Sequence, residues 1–277
     1  MATFKDRVLR SDDRPVWIDW TEYAGRLLAA GHPPWLDATA AVAWQKKSQA
    51  LLRSDVLSIP VERIAAAWIA EHPALREAMA ARSRPVYPVK TLLGDEGLRS
   101  LLVATVRAMR ASMPGPLVAL SLPSPRAWVG EAYRQAHDAT VDAGDDEADS
   151  AALYLADFLR PFGDAGVDVV ELVETDATEP ACDTDTACYQ SVCNVAAHYR
   201  WDIGLRVSGR RYDGSRGTFD FITSGGVVPE CIHGWLVDAE FWSGQPLPAR
   251  GSSGFWYATV PADANPEQVL ERRSLLG

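Results

Sequence analysis

A chain of 277 residues with 47% hydrophobic and 23% charged side chains can bury a sizeable core, which excludes intrinsic disorder as a general description. Its 27 basic and 37 acidic side chains leave a formal net charge of −10, a balance that repels phosphate backbones and excludes nucleic acid as the expected partner. The four cysteines (Cys182, Cys188, Cys193, Cys231) are too few and too unevenly spaced for a disulfide framework and read as reduced thiols.

The first residues, MATFKDRVLRSDDRP, are broken by charges and hold no apolar stretch of signal-peptide length. No later segment approaches the roughly 18 uninterrupted apolar residues of a membrane span. A cytoplasmic protein without a membrane partner is therefore expected.

In chain order, β-rich runs are predicted at Val16–Trp20, Val56–Val61, Val86–Leu92, Leu117–Leu122, Val167–Thr175, Ile203–Ser208, Phe219–Thr223 and Phe255–Val260. Prolines interrupt the second and third of these (Pro60, Pro88). Helical spacing of apolar residues marks Ala38–Arg53, Gly97–Met113, Glu147–Ala165, Gln190–Tyr199 and Asn265–Leu276. The acidic stretch 138–149 reads as a solvated loop whose carboxylates favour the N-terminus of the helix that follows. Eight strands alternating with helices point to an α/β fold, a single (β/α)8 TIM barrel over residues 1–277. An open doubly wound sheet would announce itself with a phosphate loop, and no GxGxxG follows any of these runs.

Barrel active sites are built from the C-terminal ends of the strands and the loops after them. That rule selects Asp19, Trp20, Glu22, Ser121, Ser124, Glu174, Asp176, Arg206, Ser208, Ser224 and Glu230. Glu174, at the end of an apolar strand, is the first candidate for proton transfer, because burial there raises a carboxylate pKa. Glu171, three positions earlier, is expected on the opposite face, paired with a cation from a helix. Asp19, between Trp17 and Trp20, is the second acid or base. Arg206 shares a strand face with Gly204 and Ser208 and could clamp a substrate carboxylate. Tryptophans near strand ends, Trp20 and Trp35 among them, could line a pocket for a ring-shaped ligand. Cys231-Ile-His233 is a Cys/His pair at ligand-like spacing; as a metal site it would need two further ligands, with Cys182, Cys188 and Cys193 as the candidates.

Several segments together resemble the superfamily that joins uroporphyrinogen decarboxylase with cobalamin-independent methionine synthase. Residues 165–174, Ala-Gly-Val-Asp-Val-Val-Glu-Leu-Val-Glu, are similar to the synthase pattern of an Ala-Gly turn, an apolar strand and a terminal acid. Leu120-Ser-Leu-Pro-Ser-Pro125 looks like the Pro-Ser-Pro strand end of the same branch. Arg14-Pro-Val-Trp-Ile18, Ala24-Gly-Arg-Leu27 and Ser58-Ile-Pro-Val-Glu-Arg63 follow the decarboxylase order. Glu22 and Tyr23 stand where that branch has Arg-Gln, which points away from porphyrinogen itself. The methyltransferase branch implies zinc held by His-x-Cys on the strand after the acidic one, and residues 202–208 contain neither.

The resemblance implies a barrel fold and a small-molecule substrate. The reading adopted from it is a cofactor-independent lyase, decarboxylase-like, acting on a carboxylated aromatic or polycyclic compound. In it Glu174 and Asp19 are catalytic, and Arg206, Arg26, Trp20 and Ser124 bind the substrate. The alternatives are a zinc-dependent methyl- or alkyl-transferase to a thiol, using Cys231 and His233, or a non-catalytic barrel that binds a small molecule. Homodimerisation stays open.

Overall fold

In a closed parallel sheet each strand shows one face to the barrel interior and the other to the surrounding helices, so both faces must be largely apolar. The computed structural model describes residues 3–10, 14–174, 186–207, 212, 217–226, 231–248 and 254–277. Its strands are β1 (Val16–Asp19), β2 (Val56–Pro60), β3 (Leu117–Pro123), β4 (Val169–Glu174), β5 (Asp202–Val207), β6 (Phe221–Ser224), β7 (Ile232–Val237) and β8 (Phe255–Thr259). They pair in sequence order, all parallel, and β8 closes the ring on β1. The (β/α)8 barrel is the fold the alternation predicts.

Seven of the eight strands fall on predicted runs, and one run is corrected. Val86–Leu92 is not a strand; Tyr87–Leu93 is a helix, with Pro88 in its first turn and Val89, Leu92 and Leu93 buried. Those three positions share a helical face, and proline is tolerated in a first turn, so the chain satisfies both by coiling. The eighth strand is instead Ile232–Val237, which hides behind His233 and Gly234. The predicted helices at 38–53, 97–113, 147–165, 190–199 and 265–276 are all present. Short acceptors start several of them: Asp37 accepts from the Thr39 and Ala40 amides, Asp95 from Leu98, and Asn265 from Glu267 and Gln268.

Inside the barrel the lower half is apolar. Trp17, Val56, Leu117, Val169, Phe221, Ile232 and Phe255 fill it. The helix Phe4–Arg10 closes the bottom, with the Phe4 ring edge-on to Trp17, Phe221 and Phe255 at 5.7, 5.2 and 4.8 Å. Three aspartates seal the same end in one recurring way. Asp55, Asp168 and Asp220 each precede a strand and accept from the backbone N–H of Val16, Val118 and Ile203, one strand back, at 2.7, 2.8 and 3.1 Å. Each aspartate's own amide donates to a carbonyl of that same neighbouring strand. Arg110 pairs with Asp168 behind this seal. The bottom of the barrel is thus plugged, and the polar interior positions lie toward the other end.

Candidate functional site

Above the apolar floor the inward positions turn polar: Ser58, Ser121, Glu171, Arg206, Tyr257 and Asp19. Strand pairing sets them side by side. Ser121 is in register with Glu171, Glu171 with Gly204, Val173 with Arg206, and Arg206 with Thr223. Two of these interior positions have no side chain, and both gaps are occupied. A Cβ on Gly204 would lie 2.0 Å from the Phe221 ring, and one on Gly234 would lie 2.3 Å from Thr223 Oγ1.

The centre of the arrangement is an ion pair. Glu171 is fully buried, and its Oε1 faces Arg206 Nε at 3.3 Å, while Ser121 Oγ donates to its Oε2 at 2.7 Å. The guanidinium lies over the Tyr257 ring at 5.1 Å, a cation–π contact with a fully buried aromatic. Burial pushes the Glu171 carboxyl above its ordinary pKa, Arg206 and Ser121 pull it back, and Asp19 raises it again. Burial also raises the Tyr257 phenol well above its ordinary value, against the pull of Arg206. For Arg206 burial works against the charge, but Tyr257, Glu171 and Asp19 outweigh it and hold the guanidinium charged.

This cluster opens into a cavity of about 310 Å³ at the strands' C-terminal ends. Asp19, Ser58, Ser121, Val173, Arg206 and Thr259 line its inner wall, and Glu22, Glu62 and Arg63 its rim. The Arg206 side chain keeps 19% of its surface exposed, directed into this space. Asp19 holds the Thr21 amide at 3.0 Å through Oδ1. Burial, then Glu131, raises the Glu62 carboxyl at the rim.

Of the residues singled out from the sequence, Asp19 and Arg206 meet here and Glu174 does not join them. Glu174 is buried on the outer face of β4, where Tyr189 donates its hydroxyl to Oε1 at 2.5 Å. Glu171, expected to pair with a helix cation, is the acid that faces inward. Alternation along the strand separates the two, as expected, but with the faces exchanged. Ser124 is fully buried and starts the helix Pro125–His137 by accepting from the Ala127 amide. Trp20 is buried in the helix layer and donates to Gln45 Oε1 at 2.8 Å. Arg26 is exposed and lines a neighbouring cavity instead.

Cys231 and His233 lie on the outer side of β7's pleat, since Ile232 and Leu236 between and beyond them pack in the barrel interior. Burial lowers the His233 imidazole to about 4. Among the described residues no group of three His, Cys, Asp or Glu side chains gathers as metal ligands. Asp176, Ser208, Glu230 and Cys182 lie outside the described residues. Glu171 and Tyr257 are the members of the cluster that the strand-end rule did not select. A signal for Glu171 existed, because a carboxylate amid Val-Val-Glu-Leu-Val needs a buried cation, and Arg206 is the strand arginine of the next unit.

Fold and site define the class: a closed (β/α)8 barrel with an acid–guanidinium cluster at its C-terminal mouth. No protein-family model matches the sequence, and comparison with curated proteins yields no significant match. Among solved structures, a methyltransferase from Methanosarcina mazei is similar over 99% of this chain and 99% of its own, with a TM-score of 0.62 and 10% sequence identity. That likeness establishes the shared fold.

Proposed function

We propose that this chain is an enzyme of the methyl- or alkyl-transferase kind, acting in the mouth cavity on a small substrate that bears an anionic group. The observation that carries the reading is Arg206, which lines that cavity and is paired behind it with the buried Glu171. The methyltransferase likeness, end to end in both chains, supports the choice of group transfer over other barrel chemistry. Residues 165–174 and 120–125, which resemble the synthase branch of the uroporphyrinogen decarboxylase and methionine synthase superfamily, support the same reading.

Arg206 has the chemistry to receive a carboxylate or other oxyanion, because its charge is held firmly and part of its surface faces the cavity. When an alkyl group moves, the bond from its carbon to the donor breaks as the bond to the acceptor atom forms, and an O–H, N–H or S–H acceptor releases a proton. Asp19, on the cavity's inner wall, is the base for that proton; Glu171, with its raised pKa, is the buried partner that can hold or return one. Tyr257 braces the guanidinium from below.

A second reading, decarboxylation, is favoured by one feature, the raised acid directly beside the guanidinium. There the bond to a bound carboxylate would break, carbon dioxide would leave, and Glu171 would supply the proton taken by the carbanion. Incubating the protein with paired panels of alkyl donors and anionic acceptors, with mass spectrometry of the products, separates the readings. Donor-dependent alkylation that falls about 100-fold or more in Glu171→Gln, with the fold intact by circular dichroism, is the expected result. Carbon dioxide release without a donor would favour the second reading, and full transfer activity in Glu171→Gln would overturn the proposed role of the pair.

A further inference from the structure

Beside the mouth cavity lies a second one of about 360 Å³. It is lined by Arg26 and Trp35 and shares Thr21, Glu22 and Arg63 with the first. The shared wall is an ion pair: Arg63 Nη2 meets Glu22 Oε1 at 2.5 Å, with the two side chains 58% and 55% exposed. A pair so open to water contributes little, so another oxyanion can take the place of Glu22 on Arg63 at small cost. The second cavity also carries two guanidiniums against one carboxylate, a local positive excess on a chain whose net charge is −10. The Trp35 indole, edge-on to Trp44 at 5.0 Å, is a braced apolar wall beside those charges.

We infer that this second cavity binds the second substrate of a two-substrate reaction, an oxyanion-bearing molecule with a flat or apolar body. Its carboxylate or phosphate is held by Arg26 and Arg63, and its body rests on Trp35. The inference rests on the group-transfer reading, because transfer requires donor and acceptor side by side whereas decarboxylation requires one substrate. Two adjoining cavities separated by a weak ion pair suit the first requirement: displacement of Glu22 from Arg63 removes the wall between them.

Benzoate and phenyl phosphate are suitable probes. Titration calorimetry of the full chain should find two equivalents of one or both. Arg206→Gln should remove one equivalent, and the double variant Arg26→Gln/Arg63→Gln the other, with at least a tenfold loss of affinity. Because Arg26 and Arg63 are exposed, that double variant should keep the wild-type melting curve. Glu22→Gln should tighten the second equivalent several-fold, and either probe should protect Arg26 and Arg63 from phenylglyoxal in peptide mapping. A second equivalent indifferent to both arginines, or one equivalent throughout with no protection, overturns the inference. Loss of neither equivalent in Arg206→Gln counts instead against the role of the first cavity, so the two failures are distinguishable.

Discussion

Gly204 and Phe221 show how closely the barrel interior is packed, and they make the most direct test of it. The absent Cβ of Gly204 is replaced by the Phe221 ring, which would lie 2.0 Å from it. Gly204→Ala should therefore destabilise the protein by about 1–3 kcal/mol, read as a lower urea midpoint, because the ring cannot withdraw without disturbing Phe4, Trp17 and Phe255. Adding Phe221→Leu should recover part of the loss, since the two side chains contend for one space. Additive losses would show that they do not. Arg206 illustrates the reverse case at the same scale, a residue whose position the sequence already revealed. It alternates with a glycine in an apolar strand, and it lies where that alternation puts it, in the interior. Glu171 and Glu174 divided differently, because both sit in apolar surroundings and the pleat alone does not say which of the two faces inward.

Among elements, the helix Phe4–Arg10 has the largest consequence for its size. It supplies the aromatic plug of the barrel floor, and its Lys5 amide donates to Asp202 Oδ2 at 2.9 Å. Phe4→Ala should cost roughly 3–5 kcal/mol, the usual range for a large buried aromatic, with little effect on ligand binding at the opposite mouth. A variant of unchanged denaturation midpoint would mean that the barrel floor packs without the plug. The sequence concealed this helix behind alternating charges, with only Phe4 and Val8 to mark its buried side. The long amphipathic helices were legible for the opposite reason, because a stripe repeated over 15 or 17 residues leaves little room for another period. Val86–Leu92 was misleading because seven residues of mixed β-branched and apolar character fit both periods. Ile232–Val237 was obscure because its interior glycine and buried histidine are poor strand markers, and its neighbours β6 and β8 make it a strand.

At the scale of the whole molecule, His233 links stability to pH. Its imidazole is neutral in the folded protein down to about 4, whereas in the unfolded chain it gains a proton below about 6.5. The unfolded state therefore binds more protons between those values. The stabilisation from a neutral His233 is complete above pH 6.5 and is lost as the pH falls toward 4. Urea midpoints measured from pH 7 to 4 should decline less steeply in His233→Gln than in the wild type. Equal slopes would show that the imidazole titrates alike in both states. Glu171 works with the opposite sign, since a raised carboxyl pKa favours the fold at low pH and that contribution is lost as the pH rises through the folded value. The comparison between variants is therefore the informative measurement. Among the described residues no helix is long and apolar enough to cross a membrane.

Composition and periodicity by themselves determined the charge balance, the α/β alternation and seven of the eight strands that close into a ring. They also determined that Glu171 and Glu174 must face opposite ways, because successive side chains on a strand point to alternate sides. Which side is the inside was decided only by closure of the barrel. Closure brought Arg206, Ser121, Tyr257 and Asp19, from four other strands, around one of the two acids, and left the other against Tyr189. A pleat is a local property and the interior of a ring is a global one, so the acid at the mouth could be recognised only when all eight strands were in place.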